Sequence, residues 1–237
     1  MNAIFTYHSL DESGSVISTR PEDFRLQMEA LAASGVKVVP LAELCRHNGA
    51  AAITFDDAFG NFEDHGVPVL ERLSLPATVF VVSGYSGGRN DWPTQPGGVP
   101  CLPLMSWSAL RTLPPLFALG AHTVNHPNLQ VLGDAEMMHE ICDSRREIEE
   151  RTGRAAETFA YPYGTVDHRA AEVVRREFTA GCGTRLCFAG PESDRAVLPR
   201  LDTYYLKRAA WFQNPLGVPL RAYIGLRRLV REARQTL

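Results

Sequence analysis

Residues 50–57, Ala50-Ala51-Ala52-Ile53-Thr54-Phe55-Asp56-Asp57, join a short apolar run to two adjacent carboxylates. The apolar run predicts a buried strand, and the carboxylates follow at its end. An unpaired charge is costly to bury, so two acids at this position need a compensating partner. A metal ion is the simplest partner, and the pair therefore predicts a metal site at a strand end.

Outward from this run, short apolar segments alternate with amphipathic ones. Strands are predicted over 3–7, 36–39, 50–55, 77–82, 116–121, 158–161, 180–183 and 198–201, and helices over 21–34, 66–73, 134–151 and 167–177. Such alternation is typical of an α/β protein with a parallel sheet, and roughly seven units favour a barrel over an open sheet. In such barrels, chemistry collects where the strands end.

Polar segments follow four of the predicted strands. These segments are Tyr7-His8, Asp56-Asp57, His122 with His126, and Pro162-Tyr163-Gly164. The carboxyl ends of parallel strands meet at one rim of a barrel, so the four segments are expected to lie together.

The two histidines, His122 and His126, are four residues apart and are predicted to share one face of a helical turn. This spacing alone is a weak signal and arises by chance in roughly one chain of five with this many histidines. Together with one carboxylate, the histidines form a three-ligand metal site with an open position. The second carboxylate can then take a proton from water. Unrelated surface histidines and a structural acid pair are the alternative.

Three motifs resemble a known family: Thr54-Phe55-Asp56-Asp57, His122-Thr123-Val124-Asn125-His126 and Phe159-Ala160-Tyr161-Pro162-Tyr163-Gly164. They are similar to the first three motifs of the polysaccharide deacetylases, the NodB-homology domain of carbohydrate esterase family 4. The resemblance runs in order from about Phe5 to Tyr204. It implies a distorted (β/α)7-type barrel that removes N- or O-acetyl groups from carbohydrate. The Tyr-His start resembles the subgroup that deacetylates poly-N-acetylglucosamine.

The resemblance also implies roles for individual residues. Asp56 corresponds to the general base, and Asp57, His122 and His126 correspond to the ligands of a divalent metal. That metal is usually Zn²⁺, with Co²⁺, Mn²⁺ and Ni²⁺ as alternatives. The third motif assigns a backbone N–H that holds the oxyanion to Tyr163.

Two positions depart from the family pattern. Ala160 stands where many members have an arginine that orients the base, and Arg200 is a candidate replacement from another strand end. The last family motif usually contains a histidine that acts as general acid, but no histidine follows His168 in this chain. His8 is a candidate for that role, and a proton shuttle by Asp56 in both directions is the alternative.

Two further segments carry predictions. Residues 84–103 are rich in glycine and proline and predict a long loop over the site, in which Trp92 either stacks on a sugar or packs inside.

A barrel domain is expected over 1–212, and a basic amphipathic helix or tail over 213–237. Such a helix either packs on the barrel or contacts a membrane or an acidic partner.

Composition narrows the function without deciding it. The net charge of −3 gives no argument for nucleic-acid binding. No signal peptide or membrane span is evident, so a cytoplasmic location is the default expectation, with membrane association as a further option. Three functions remain open: a deacetylase of an N-acetylated sugar, a hydrolase of the same fold acting on a non-glycan amide or a lipid- or nucleotide-linked sugar, and an inactive carbohydrate-binding homologue. Oligomeric state has no sequence signal.

Overall fold

A computed structural model describes residues 1–235 of the chain, and the side chains of residues 1–233. Its strands are short and mostly buried, as expected for a sheet covered by helices. They are β1 (Ala3–Tyr7), β2 (Ser9–Leu10), β3 (Ser18–Thr19), β4 (Lys37–Val38), β5 (Ala50–Phe55), β6 (Ala77–Val81), β7 (Phe117–Ala121), β8 (Ala156–Ala160), β9 (Ala180–Leu186) and β10 (Leu198–Asp202).

Helices connect most of the strands. They are α1 (Pro21–Ala33), α2 (Leu41–Leu44), α3 (Val67–Leu73), α4 (Trp107–Thr112), α5 (Asp134–Met138), α6 (Ser144–Thr152), α7 (His168–Glu177), α8 (Ala210–Gln213) and α9 (Val218–Gln235). A π-helical turn, Phe62–Gly66, leads into α3, and a second, His139–Asp143, joins α5 to α6.

Seven parallel strands close into a barrel, which confirms the predicted fold class. The strands run in the order β1, β10, β9, β8, β7, β6 and β5, and β1 pairs with β5 to close the ring. The strand predicted over 36–39 lies outside this ring as the short β4. It pairs with the first half of β5, whereas β6 pairs with the second half of the same strand.

Side-chain alternation along each strand divides the core in two. In β1, Phe5 and Tyr7 belong to the large cluster under the helices, whereas Ile4 belongs to a separate cluster with inward-facing residues of other strands. That second cluster is rich in small side chains such as Ala160 and Cys182. Their small volume leaves room for the buried side chain of Arg200, whose guanidinium carbon lies 5.9 Å from the Phe80 ring centroid.

The C-terminal helix α9 packs on the barrel. Leu220 and Ile224 of α9 are buried in the large cluster, and the Tyr223 ring stacks on Trp211 at 4.8 Å. Residues 236 and 237 of the predicted segment 213–237 lie outside the described residues. The division of the chain at residue 212 stays a prediction. No helix within residues 1–235 is long and apolar enough to cross a membrane.

Candidate active site

Three buried side chains converge at the rim formed by the strand ends. Asp57 follows β5, while His122 and His126 follow β7. The Nε2 atoms of both histidines lie 3.4 Å from Oδ1 of Asp57. Each of the three residues offers one possible ligand atom, and these atoms all lie within 4.8 Å of one another. Among the described residues, Oδ1 of Asp57 has no hydrogen-bond partner. A buried carboxylate oxygen that faces two imidazole nitrogens without a partner fits a metal cation.

Hydrogen bonds from the far side of each imidazole ring orient both histidines. Nδ1 of His122 donates to the carbonyl of Ala160 at 2.7 Å. Nδ1 of His126 lies 3.0 Å from the Tyr163 hydroxyl, which itself donates to the carbonyl of Thr94. The Tyr163 oxygen therefore accepts from His126, and both Nε2 atoms present a lone pair toward Asp57.

The electrostatics of this group also favour a cation. Burial lowers the pKa of His122 to about 4 and lowers that of His126 well below its usual value, so both rings are neutral at pH 7. Burial and the adjacent Asp56 raise the pKa of Asp57. A bound divalent ion offsets that effect, because it favours the ionised carboxylate. Two neutral imidazoles and one carboxylate suit Zn²⁺ and similar divalent ions.

The histidines meet through a turn, so the prediction that they share a helical face is wrong. Residues 122–126 are not helical, and Thr123 and His126 have positive φ values of 69° and 56°. The Thr123 hydroxyl accepts from the backbone N–H of His126 at 3.0 Å. This left-handed geometry brings both rings to one point, which the four-residue spacing alone does not reveal.

Glu140 holds this turn and was not identified from the sequence. Its buried carboxylate accepts from the backbone N–H groups of Val124 and Asn125, at 2.9 and 2.8 Å, and from the Asn125 side chain at 2.7 Å. Glu140 lies in the π-helical turn His139–Asp143. The charged helix pattern of this region gives no sign that one of its many acids points inward.

Substitution of Glu140 by glutamine is expected to weaken metal binding about 10–100-fold. The amide retains only one acceptor oxygen for three donors, so the turn that carries His126 loosens. Competition with a chromogenic chelator measures the metal affinity, and Glu136→Gln, an exposed change on the same helical stretch, is the matched control. Equal affinity in the two variants would show that Glu140 does not support the site.

Arg200 is paired with Asp56 inside the barrel. The guanidinium donates to both carboxylate oxygens, at 2.6 and 2.7 Å, and its Nε donates to the carbonyl of Gly183 at 2.9 Å. Burial alone would raise the pKa of Asp56, but the charge of Arg200 outweighs it and holds that pKa well below its usual range. His8 lies beyond, with Nε2 at 3.8 Å from Oδ2 of Asp56. Asp56, Arg200 and His8, singled out in the sequence, are thus neighbours.

The third motif forms a tight turn beside His126. Tyr163 and Gly164 have φ values of 59° and 69°. A Cβ atom placed on Gly164 would lie 2.0 Å from the hydroxyl oxygen of Thr184. Glycine is therefore required here both for its left-handed backbone and for the close approach of β9.

Replacing Gly164 by alanine is expected to lower the free energy of unfolding by about 1–3 kcal/mol. The added methyl group forces Thr184 or the turn to move, and it strains a left-handed residue. Gly133→Ala is the control, because a Cβ at Gly133 meets nothing within 4 Å. Urea unfolding measures both variants, and equal stability of the two would contradict the expectation.

A loop covers the site, as predicted for residues 84–103. Trp92, Gln95, Pro96 and Val99 line one side of a cavity of about 170 Å³ that contains the metal-ligand group. Trp92 is only 2% exposed and stacks on His126 with ring centroids 4.2 Å apart. It therefore packs against His126, and its stacking on a sugar stays a prediction.

Comparison with known proteins identifies the family of this chain. The profile described as polysaccharide deacetylase matches residues 44–177, which is more than half of the chain. The chain belongs to the polysaccharide deacetylase family. The match includes the acid pair, the histidine turn and the third motif, whereas Arg200 lies beyond it.

Two curated relatives of the deacetylase family show partial similarity. Poly-beta-1,6-N-acetyl-D-glucosamine N-deacetylase from Staphylococcus aureus is 24% identical over 166 residues, 66% of this chain and 52% of the relative. Peptidoglycan-N-acetylglucosamine deacetylase PgdA from Listeria monocytogenes is 30% identical over 142 residues, 60% of this chain and 27% of the relative. The chain spans about half the length, or less, of these relatives.

Solved structures of the deacetylase family share the barrel. IcaB from Ammonifex degensii is 22% identical with a TM-score of 0.73, and the alignment covers 90% of this chain and 97% of that one. The Streptococcus pyogenes deacetylase PplD, solved with acetate, is 19% identical with a TM-score of 0.73, and the alignment covers 84% of this chain and 91% of that one. At these identities the likeness establishes the fold.

Proposed function

We propose that this protein is a metal-dependent deacetylase that hydrolyses the N-acetyl group of an N-acetylated sugar or glycan. The observation that carries the proposal is the buried group of Asp57, His122 and His126 beside an ionised Asp56. Polymers of N-acetylglucosamine are the first substrates to test, because the names of both curated relatives refer to that sugar.

The proposed metal ligands are Asp57, His122 and His126, with Zn²⁺ as the first ion to test. When bound at such a site, a divalent cation polarises a carbonyl and lowers the pKa of water. The two imidazoles contribute to this by remaining neutral, and the hydrogen bonds on their Nδ1 atoms keep Nε2 available for ligation.

Asp56 is the proposed general base. Its carboxylate accepts a proton from the water that attacks the acetyl carbon, and Arg200 keeps it ionised and fixes its orientation through two hydrogen bonds. Arg200 thus acts as a positioning residue in place of the arginine that many family members have at the position of Ala160.

Two groups are proposed to complete the reaction. The backbone N–H of Tyr163 donates to the oxyanion as the carbonyl becomes tetrahedral. His8 gives a proton to the leaving amine as the C–N bond breaks, which releases acetate and a free amino sugar. His8 suits this role because a quarter of its side chain is exposed and it lies on the cavity wall beside Asp56.

Acetate release from N-acetylglucosamine oligomers tests the proposal. We expect the zinc-loaded protein to release acetate, the chelated protein to lose this activity, and added Zn²⁺ to restore it. His122→Ala should remain inactive after zinc addition. His168→Ala, which changes an exposed histidine with a side chain 88% accessible, is the control and should remain active. Undiminished activity in metal-free protein, verified by elemental analysis, would overturn the metal-dependent mechanism.

A further inference from the structure

A second cavity adjoins the metal-site cavity. It has a volume of about 300 Å³ and lies between the third-motif turn, β9 and α9. Tyr163 and Thr184 line both cavities, so they form a shared wall. The two cavities are therefore adjacent, with Tyr163 and Thr184 between them.

Three arginines line this second cavity, which we call the arginine subsite: Arg185 from β9, and Arg228 and Arg231 from α9. Glu232 is the only acid among the described residues that line it, and its Oε1 lies 3.7 Å from Nε of Arg228. The subsite thus carries a formal surplus of two positive charges. The metal-site cavity is lined by two acids, of which Asp56 is paired with Arg200.

Arg228 and Arg231 of α9 make few hydrogen bonds to the described residues. Nη1 of Arg231 donates to the carbonyl of Thr184 at 3.0 Å, which fixes this guanidinium beside the shared wall. Nη1 of Arg228 lies 3.6 Å from Sγ of Cys187, a weak acceptor. Among the described residues, the buried Nε of Arg228 has no hydrogen-bond partner. Among the described residues, these two guanidinium groups therefore make one hydrogen bond each.

We infer that the arginine subsite binds a phosphoryl or diphosphoryl group attached to the N-acetylated sugar. Guanidinium groups bind phosphate oxygens through paired hydrogen bonds, and a cluster of them suits a group with more than one negative charge. A neutral glycan leaves the positive surplus uncompensated. This inference rests on the proposed function and narrows its substrate to a phosphorylated or diphosphate-linked N-acetyl sugar.

The cavity beyond offers space for the rest of such a molecule. A depression of about 760 Å³ shares Gly164, Thr184 and Arg185 with the arginine subsite, and Val166 and Phe188 contribute apolar surface to it. A diphosphate in the subsite would direct the attached carrier group toward this depression. The same diphosphate chemistry occurs in nucleotide sugars and in lipid-linked sugars, so the experiment must separate these sources.

Calorimetric titration of zinc-loaded Asp56→Asn protein tests the inference without turnover. The ligands are methyl N-acetylglucosaminide, N-acetylglucosamine 1-phosphate, a uridine diphosphate sugar and a short-chain polyprenyl diphosphate sugar, all carrying N-acetylglucosamine. We expect at least one phosphorylated ligand to bind about tenfold or more tightly than the neutral one, as for a gain of one charge-assisted interaction. The tightest ligand identifies the carrier.

Substitutions in the same background locate the effect. Arg228→Gln with Arg231→Gln should remove the preference for the phosphorylated ligand and leave the neutral ligand unchanged. Arg221→Gln, an exposed change on α9 outside the subsite, should alter neither. Arg185→Gln provides a second variant at an exposed side chain if the double variant does not fold. Equal binding of neutral and phosphorylated ligands, or an unchanged preference in the subsite variants, would overturn the inference.

Acetate release by the wild-type protein separates this inference from the proposed function. A protein that binds phosphorylated sugars through these arginines but releases no acetate from any of the ligands or from glycan oligomers would refute the proposed hydrolysis and retain the subsite. A protein that deacetylates neutral oligomers without any preference for phosphorylated sugars would refute the subsite and retain the proposed function.

Discussion

Substitution of Asp56 by asparagine is expected to lower kcat about 10²–10⁴-fold, the usual contribution of a positioned general base. Asparagine keeps one oxygen for Arg200 but cannot take a proton from water. Metal binding should persist, because Asp57, His122 and His126 are unchanged. Steady-state acetate release and elemental analysis of the purified variant measure the two quantities separately.

Asp64→Asn serves as the control for the loss of one carboxylate, because Asp64 is exposed and lies outside the site. It should retain wild-type kcat. If Asp56→Asn stays within a few-fold of the wild-type kcat while folded and metal-loaded, Asp56 is not the general base. Loss of both metal and activity would instead place Asp56 among the groups that hold the cation.

Substitution of Arg200 by methionine is expected to lower the free energy of unfolding by about 3–5 kcal/mol, as when one partner of a buried ion pair is removed. Arg200 is 2% exposed and Asp56 is 3% exposed, so removal of the guanidinium leaves a buried carboxylate without its two charge-assisted hydrogen bonds. Proteins have total free energies of unfolding of about 5–15 kcal/mol, so the expected loss is a large fraction of the total. Urea unfolding at neutral pH measures the change.

Arg195→Met is the matched control, since Arg195 is exposed just before β10, and its effect should stay within about 0.5 kcal/mol. The double variant Asp56→Asn, Arg200→Met should recover part of the stability lost in Arg200→Met, because the unpaired buried charge is gone. Additive losses in the double variant would show that the two side chains do not stabilise one another.

The barrel follows from local sequence patterns. The apolar runs at residues 3–7 and 50–55 coincide with β1 and β5, since a strand buried on both faces needs consecutive apolar residues. Strand ends were less predictable: β9 continues to Leu186, three residues beyond its predicted end. Pairing with β10 through a register shift extends it, and no local pattern encodes such a partner.

The features that the sequence did not predict are backbone conformations and polar side chains that point into the protein. Asp57, Thr123 and His126 adopt positive φ, which is unusual for residues other than glycine and is maintained by surrounding contacts. Glu140 reaches the histidine turn from a helical segment distant in sequence. Trp92 became a packing partner of His126 because the loop folds back over the ligands. Each outcome depends on contacts between segments far apart in the chain.

The amino-acid sequence was enough to predict the alternation that builds the barrel and to identify the acid pair, the two histidines and the third-motif turn. Periodicity and residue chemistry are local properties, so they are readable without a structure. The folded structure was needed to show that Arg200 pairs with Asp56, 144 positions away in the sequence, that Glu140 supports the histidine turn, and that three arginines gather beside Tyr163. Those relations depend on barrel closure, which brings distant strand ends to one rim.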